Sequence, residues 1–360
     1  MTIQRSPANP HLHYNELVRQ MSKSRPNRTG GHGLSAPKLA MVSAPVPSPS
    51  IVALGVAANP CGISSDGITW NASNTPFYNG YCVAWNGSIW VAGGDGPTDT
   101  IATSPDGINW TGRGKSIFTT DCYSVAWNGS KWVAGGIGKN QIATSNNGIT
   151  WTASSIGNSM ITSGCYGVAW NGIIWVAVGY GTNQIAYSSD GNIWTASSNG
   201  NSIFSICYGV AWNGFIWVAV GAGANSGAAI ATSPDGMTWS VSTNGNSIFT
   251  NTCYGVAWNG IKWVAVGYGT NTIATSTDGM NWIASINGNS IFTNQYQAGV
   301  AWTGNKWVVA GNGGPTYTIA TSPDGMTWTG STTTSLFGSG IGITGIAHGV
   351  ASKVSNYPPY

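Results

Sequence analysis

Charge is what this chain has least of: Asp, Glu, Lys and Arg make up 6% of its 360 residues, against roughly 25% in an ordinary soluble domain. Solvation therefore falls to Asn, Ser, Thr and Gly. Glutamate occurs once, as Glu16, and of the four histidines only His348 lies beyond residue 32. No apolar run reaches the roughly 18 residues of a membrane helix, so no span is expected. The N-terminus, MTIQRSPANPHLHYNELVRQ, has no apolar stretch of the secretory kind, which points to cytoplasmic synthesis. Six cysteines without a secretory signal read as free thiols rather than a disulfide framework.

What is present is repetition. A phrase of forty-odd residues, clearest in CYGVAWNGIKWVAVGYGTNTIATSTDGMNWIASINGNSIFT at 253–293, recurs from Ile51 onward. Its DGxxW-type segment ends at Trp70, Trp110, Trp151, Trp194, Trp239, Trp282 and Trp328. That period suits four short strands with their turns. YGVAW, KWVAVG, TIATS and MNWIAS are the four strands, rich in Val, Ile, Thr and Trp. Asn-Gly joins the first two, as at Asn86-Gly87 and Asn259-Gly260, and Ser-Pro-Asp-Gly or a variant joins the last two. Both short hairpins fall at one end of the sheet and both longer joins at the other, giving a plain face and an elaborated face.

The fold expected is all-β: a seven-bladed β-propeller of four-stranded antiparallel blades. IVALG at 51–55 reads as a second strand lacking a first, and GIAHGV at 345–350 reads as a first strand lacking a blade. Their pairing closes the ring and hides an edge. In that alignment His348 stands where other copies have Trp. Residues 46–352 form the propeller and 353–360 a tail. Residues 1–45 form a basic, extended or disordered arm carrying Arg5, Arg19, Lys23, Arg25, Arg28 and Lys38 against Glu16 alone.

The segments ending in Trp110, Trp239, Trp282 and Trp328, of the form SxDGxxW, resemble the Asp-box hairpin of sialidase-like and sortilin-like propellers. They are one residue shorter between Asp and Trp than SxDxGxTW. With WVAVG and IATS, the repeat is similar to those of seven-bladed propellers from bacteria, phages and large DNA viruses, often in surface or particle proteins. The resemblance spans 51 to about 350 and implies fold. Sialidase chemistry would need an arginine cluster and a Tyr/Glu pair, whereas the ring holds Arg113 alone and no glutamate.

Six of the nine aspartates belong to the repeated turn, leaving Asp95, Asp99 and Asp121, which read as solvated loop residues. Cys122, Cys165, Cys207 and Cys253 share one register with Cys82 displaced two places along, and read as small buried hydrophobes near the channel mouth. No metal site and no cofactor is expected. The loop-rich face supplies the candidate binding residues: Tyr180, Asn183, Tyr268 and Asn271 in GYGTN-type loops, with Asn201, Asn246 and Asn289 in the blade-to-blade joins. The functional expectation is a non-enzymatic interaction or scaffold propeller, a structural or surface component of a virus particle anchored to protein partners by its arm. A soluble multivalent lectin with a glycan ligand is the alternative. Nucleic acid is not expected as a partner, because the ring carries no basic stripe.

Overall fold

The computed structural model describes residues 51–55, 60–225, 228–292, 299–311, 319–331, 339–340, 343–344 and 347–352. They form seven four-stranded antiparallel sheets and one two-stranded ladder, Ser339–Gly340 with Ile343–Thr344. The expected seven-bladed propeller is what is found. Blades 2 to 7 open on the inner strands Asn79–Trp85, Asp121–Trp127, Gly164–Trp170, Phe204–Trp212, Thr252–Trp258 and Gly299–Trp302, each followed by three strands running outward.

Each copy folds alike because its turns are fixed by short side chains. In the outer hairpin of blade 1, Ser64 Oγ accepts from Gly67 N at 2.8 Å, and Asp66 Oδ1 accepts from Ile68 N and Thr69 N at 2.8 Å. Gly67 takes φ of 74°, open to glycine at no steric cost, and its carbonyl accepts from Trp70 Nε1 at 3.1 Å. Blade 3 substitutes Asn147, which accepts from Ile149 N and Thr150 N at 2.9 Å. The chemistry of this turn is therefore a carbonyl-type acceptor, with or without charge.

Packing between blades follows from the two-residue period of the second strands. In blade 2, Trp90 and Ala92 join a buried cluster with blade 1 residues Val52 and Leu54, while Val91 joins one with blade 3 residues Trp132 and Ala134. Seven such clusters occupy the seven joints. The cluster at the seam holds Ile51, Ala53 and Trp70 of blade 1 with Val308, Ala310 and Ile319 of blade 7.

Closure occurs as expected but in a different register. The last strand is Ala347–Ser352, paired Ile51 to Ser352, Val52 to Ala351, Ala53 to Val350 and Leu54 to Gly349. Ser352, not His348, stands at the place of the inner-strand Trp. His348 falls between the paired residues Gly349 and Ala347, at the bulge. A slip of four residues preserves the inward and outward alternation, so side-chain pattern alone did not separate the two alignments.

A bulge breaks the alternation of the inner strands. Pairing skips Tyr123, Tyr166, Tyr208 and Tyr254 in turn, so Cys253 and Val256 enter the same inter-blade cluster. The blade-to-blade joins contain single helical turns, Gly200–Ile203, Gly245–Ile248 and Gly288–Ile291, with a longer one at Ser155–Met160. No helix among the described residues is long and apolar enough to cross a membrane.

Candidate functional site

In five successive blades, 2 to 6, the bulge leaves a tyrosine of the inner strand outside the ladder. Tyr81, Tyr123, Tyr166, Tyr208 and Tyr254 form a continuous arc, with neighbouring ring centroids 4.7, 5.1, 5.3 and 5.2 Å apart. Burial, joined by the charges of Asp95 and Asp121 around Tyr81 and that of Asp121 around Tyr123, pushes those two phenols well up. Burial likewise raises Tyr166 and Tyr208. Tyr81, Tyr123, Tyr166 and Tyr208 therefore stay neutral phenols.

At the mouth, the register layer above this arc is where the copies cease to be alike. The paired positions are Asn79 and Asp95 in blade 2, Asp121 and Ile137 in blade 3, Gly164 and Tyr180 in blade 4, Ile206 and Ala222 in blade 5, and Thr252 and Tyr268 in blade 6. Scaffold positions in a repeat can stay uniform, whereas a site needs particular residues in particular blades. Two acids therefore meet at one joint, and two tyrosines stand further round the ring.

Asp95 and Asp121 are not the solvated loop residues expected. Each is half-buried. Tyr123 Oη donates to Asp121 Oδ2 at 3.3 Å, and the Tyr81 hydroxyl is hydrogen-bonded to Asp95. Asp95 Oδ1 is buried and has no hydrogen-bond partner among the described residues. Burial first, and the charge of Asp95 second, raise the Asp121 carboxyl above its ordinary value, against the opposing bond from Tyr123 and the charge of Lys115. Lys115 Nζ itself donates to the carbonyl of Gly96, next to Asp95, at 2.9 Å. This spot is a pair of carboxyls with two phenols and one lysine around it. Asp99 instead ties a loop, its carboxylate accepting from Gly114 N and Thr98 Oγ1, both at 2.6 Å.

The candidate residues of the loop-rich face fall into two groups. Tyr180 is exposed and Tyr268 half-buried, at the mouth ends of their second strands. The asparagines hold backbone: Asn183 Nδ2 donates to Met160 O at 2.8 Å, and Asn271 Nδ2 to Ile248 O at 2.9 Å. Asn201 Oδ1 accepts from Gln184 N at 3.0 Å and Asn289 Oδ1 from Thr272 N at 2.9 Å. Asn246 lies exposed in its helical turn. The arm residues Arg5, Arg19, Lys23, Arg25, Arg28 and Lys38 lie outside the described residues. All six cysteines are buried and free, with burial pushing Cys61 and Cys165 up to about 12. Among the described residues no group of three or more His, Cys, Asp or Glu could hold a metal ion.

No family model and no curated protein matches this sequence. Solved structures do match in fold. A GH74 enzyme from Niastella koreensis aligns with a TM-score of 0.51 at 18% identity, over 69% of this chain and 37% of that one. A streptogramin B lyase aligns with a TM-score of 0.56 at 12% identity, over 73% of this chain and 86% of that one. YCF48 bound to D1 peptide aligns with a TM-score of 0.50 at 17% identity, over 71% and 81%. The likeness is one of fold. The chain spans well under half the length of the GH74 enzyme.

These neighbours overturn the expectation of a non-enzymatic scaffold. Two of them are enzymes, so the fold is no ground for excluding catalysis, and nothing in the comparison supports a component of a virus particle. Scarcity of charge is also physically a poor criterion. It counts carboxylates along the chain, whereas a site needs only two brought to one place.

Proposed function

We propose that the mouth of the channel at blades 2 and 3 binds a glycoside and hydrolyses it, with Asp121 as proton donor and Asp95 as the second carboxyl. The observation that carries this reading is the meeting of two carboxyls at one joint, each bonded to a phenol of the arc. Glycosidic cleavage requires such a pair, one carboxyl held protonated and the other charged. Asp121, raised by burial and by its neighbour, suits protonation of the leaving oxygen. The Asp95 carboxylate offsets positive charge developing at the anomeric carbon. Tyr81 and Tyr123 each orient one of the two groups, and Lys115 limits the rise at Asp121.

Tyr180 and Tyr268 extend the reading along the rim, where ring faces and hydroxyls suit the apolar faces and edges of sugar residues. The asparagines of the same face act by holding its loops. Kinship with Asp-box propellers and docking of the basic arm onto an acidic protein surface belong to the same set of proposals.

The test is incubation of the full chain with a panel of plant, fungal and bacterial polysaccharides, followed by mass spectrometry of released oligosaccharides. At least one polysaccharide is expected to be cleaved by the natural protein and by neither Asp95→Asn nor Asp121→Asn. Release by all three proteins alike, or by none of them, overturns the reading.

A further inference from the structure

One joint of the ring differs from the others in its interior. The first-strand position just inside the tyrosine is Gly167, Gly209 and Gly255 in blades 4 to 6, each paired with a valine of the second strand: Val178, Val220 and Val266. Blade 2 exchanges the bulk, placing Cys82 opposite Gly93. The space that valine fills elsewhere is thereby open to sulfur, and a second sulfur enters it from blade 3. A β-carbon on Gly93 would lie 2.6 Å from the Sγ of Cys82 and 2.6 Å from that of Cys122, so the sulfurs are separated by at most twice that distance. Cys82 Sγ donates to the carbonyl of Cys122 at 3.7 Å.

Blade 3 shows that the arrangement is particular to this joint. There the corresponding Gly135 faces Cys165 of the next blade, but its own strand supplies Ser124, whose hydroxyl accepts from Val168 N at 3.0 Å. A pair of thiols in one cavity is thus created by two departures from the repeat, Cys82 and Gly93, acting together.

We propose that Cys82 and Cys122 form an oxidisable dithiol that closes into a disulfide between the inner strands of blades 2 and 3. Cys82 is the more accessible of the two, with 8% relative exposure against 1% for Cys122. With a small disulfide RSSR as oxidant, the Cys82 thiolate attacks one sulfur, forms a mixed disulfide and releases RS⁻. The Cys122 thiolate then displaces the second RS⁻. Two protein thiols become one S–S bond, RSSR is reduced to two RSH, and the protons from the cysteines go to the departing thiolates. The linked residues adjoin Tyr81 in one strand and Asp121 and Tyr123 in the other, so the bond would tie the two strands that carry the acid and phenol cluster. The dithiol rests on the geometry of the cysteines and is independent of the glycoside reading.

The full-length native protein, incubated with cystamine and mapped by mass spectrometry without reduction, tests it. The expected product is a single linked pair of peptides containing Cys82 and Cys122, lighter by two hydrogens. Cys82→Gly installs the residue of blades 4 to 6 and should fold, yet give no link; Cys165→Ser should leave the yield unchanged. Six free thiols after treatment, an unresolved mixed disulfide at Cys82, or a Cys122–Cys165 link in comparable yield would overturn the proposal.

Discussion

Ser331 Oγ donates to the carbonyl of Ile68 at 2.9 Å, joining the end of blade 7 to the outer hairpin of blade 1 across 263 residues of sequence. The same bond is made between consecutive blades by Ser73 to Ile108 O and by Ser154 to Asn192 O, both at 2.8 Å. The seam is therefore built like an ordinary joint at its rim, while the strand pairing of Ile51–Gly55 with Ala347–Ser352 closes it at the centre. Ser331→Ala is expected to lower stability by about 1 kcal/mol, the usual worth of one hydrogen bond. Removing residues 347–352 exposes the edge of Ile51–Gly55 and should cost several times as much. Thermal unfolding followed by circular dichroism distinguishes the two.

Three further joints carry a side chain that imitates a strand. Asn244 Nδ2 donates to Trp282 O at 2.8 Å and Asn244 Oδ1 accepts from Trp282 N at 2.8 Å, with Asn199 on Trp239 and Asn287 on Trp328 arranged alike. Asn244→Ala leaves a backbone donor and acceptor without these partners, at an expected cost of roughly 1–3 kcal/mol. Asn244→Asp keeps the acceptor and should cost less. Urea midpoints at constant slope read both effects.

Acid sensitivity should arise at the repeated turn. Burial pushes the carboxyl of Asp235 up, but hydrogen bonds from Thr238 N, Met237 N and Ser233 outweigh it and hold the group below its ordinary 3.8. Asp106 and Asp278, which also accept from Asn109 and Asn281 side chains, are drawn down to about 2. A depressed value contributes stability above the unfolded-state value, and that stability is lost as pH falls through the folded one. Asp235→Asn copies Asn147 of blade 3, so it should fold normally at neutral pH and flatten the stability profile below about pH 4. An unchanged acid limb in urea titrations between neutral and acid pH would count against this assignment.

The fold was legible because the repeat writes every joint several times. Seven Trp-terminated hairpins, the Asn-Gly turns and the incomplete ends were sufficient for blade number and for closure. The register of the last strand was not legible, since Gly345–Val350 and Ala347–Ser352 both satisfy the alternation and the bulge at His348 leaves no compositional mark. Tyr180 and Tyr268 were visible as residues of the loop-rich face, and they do lie at the mouth ends of their strands. Asp95 and Asp121 were visible only as leftovers from the turn pattern. What makes them a pair is position: the end of the second strand of blade 2 and the start of the first strand of blade 3 meet at one joint, 26 residues apart in sequence. Aligning the copies by the residue two places before each inner-strand tyrosine would have exposed Asp121 as the odd member.

The role of Asp121 is tested most directly by comparing two substrates of unlike leaving group on the natural protein and on Asp121→Asn. An oligosaccharide leaves only with protonation of its oxygen, whereas a dinitrophenyl glycoside of the same sugar leaves unaided. General acid catalysis contributes on the order of 10²–10⁴-fold. Asp121→Asn is therefore expected to lose about that much kcat/KM on the oligosaccharide and to stay near the natural rate on the dinitrophenyl glycoside. Equal losses on both substrates, or none on either, would contradict a proton donor at this joint.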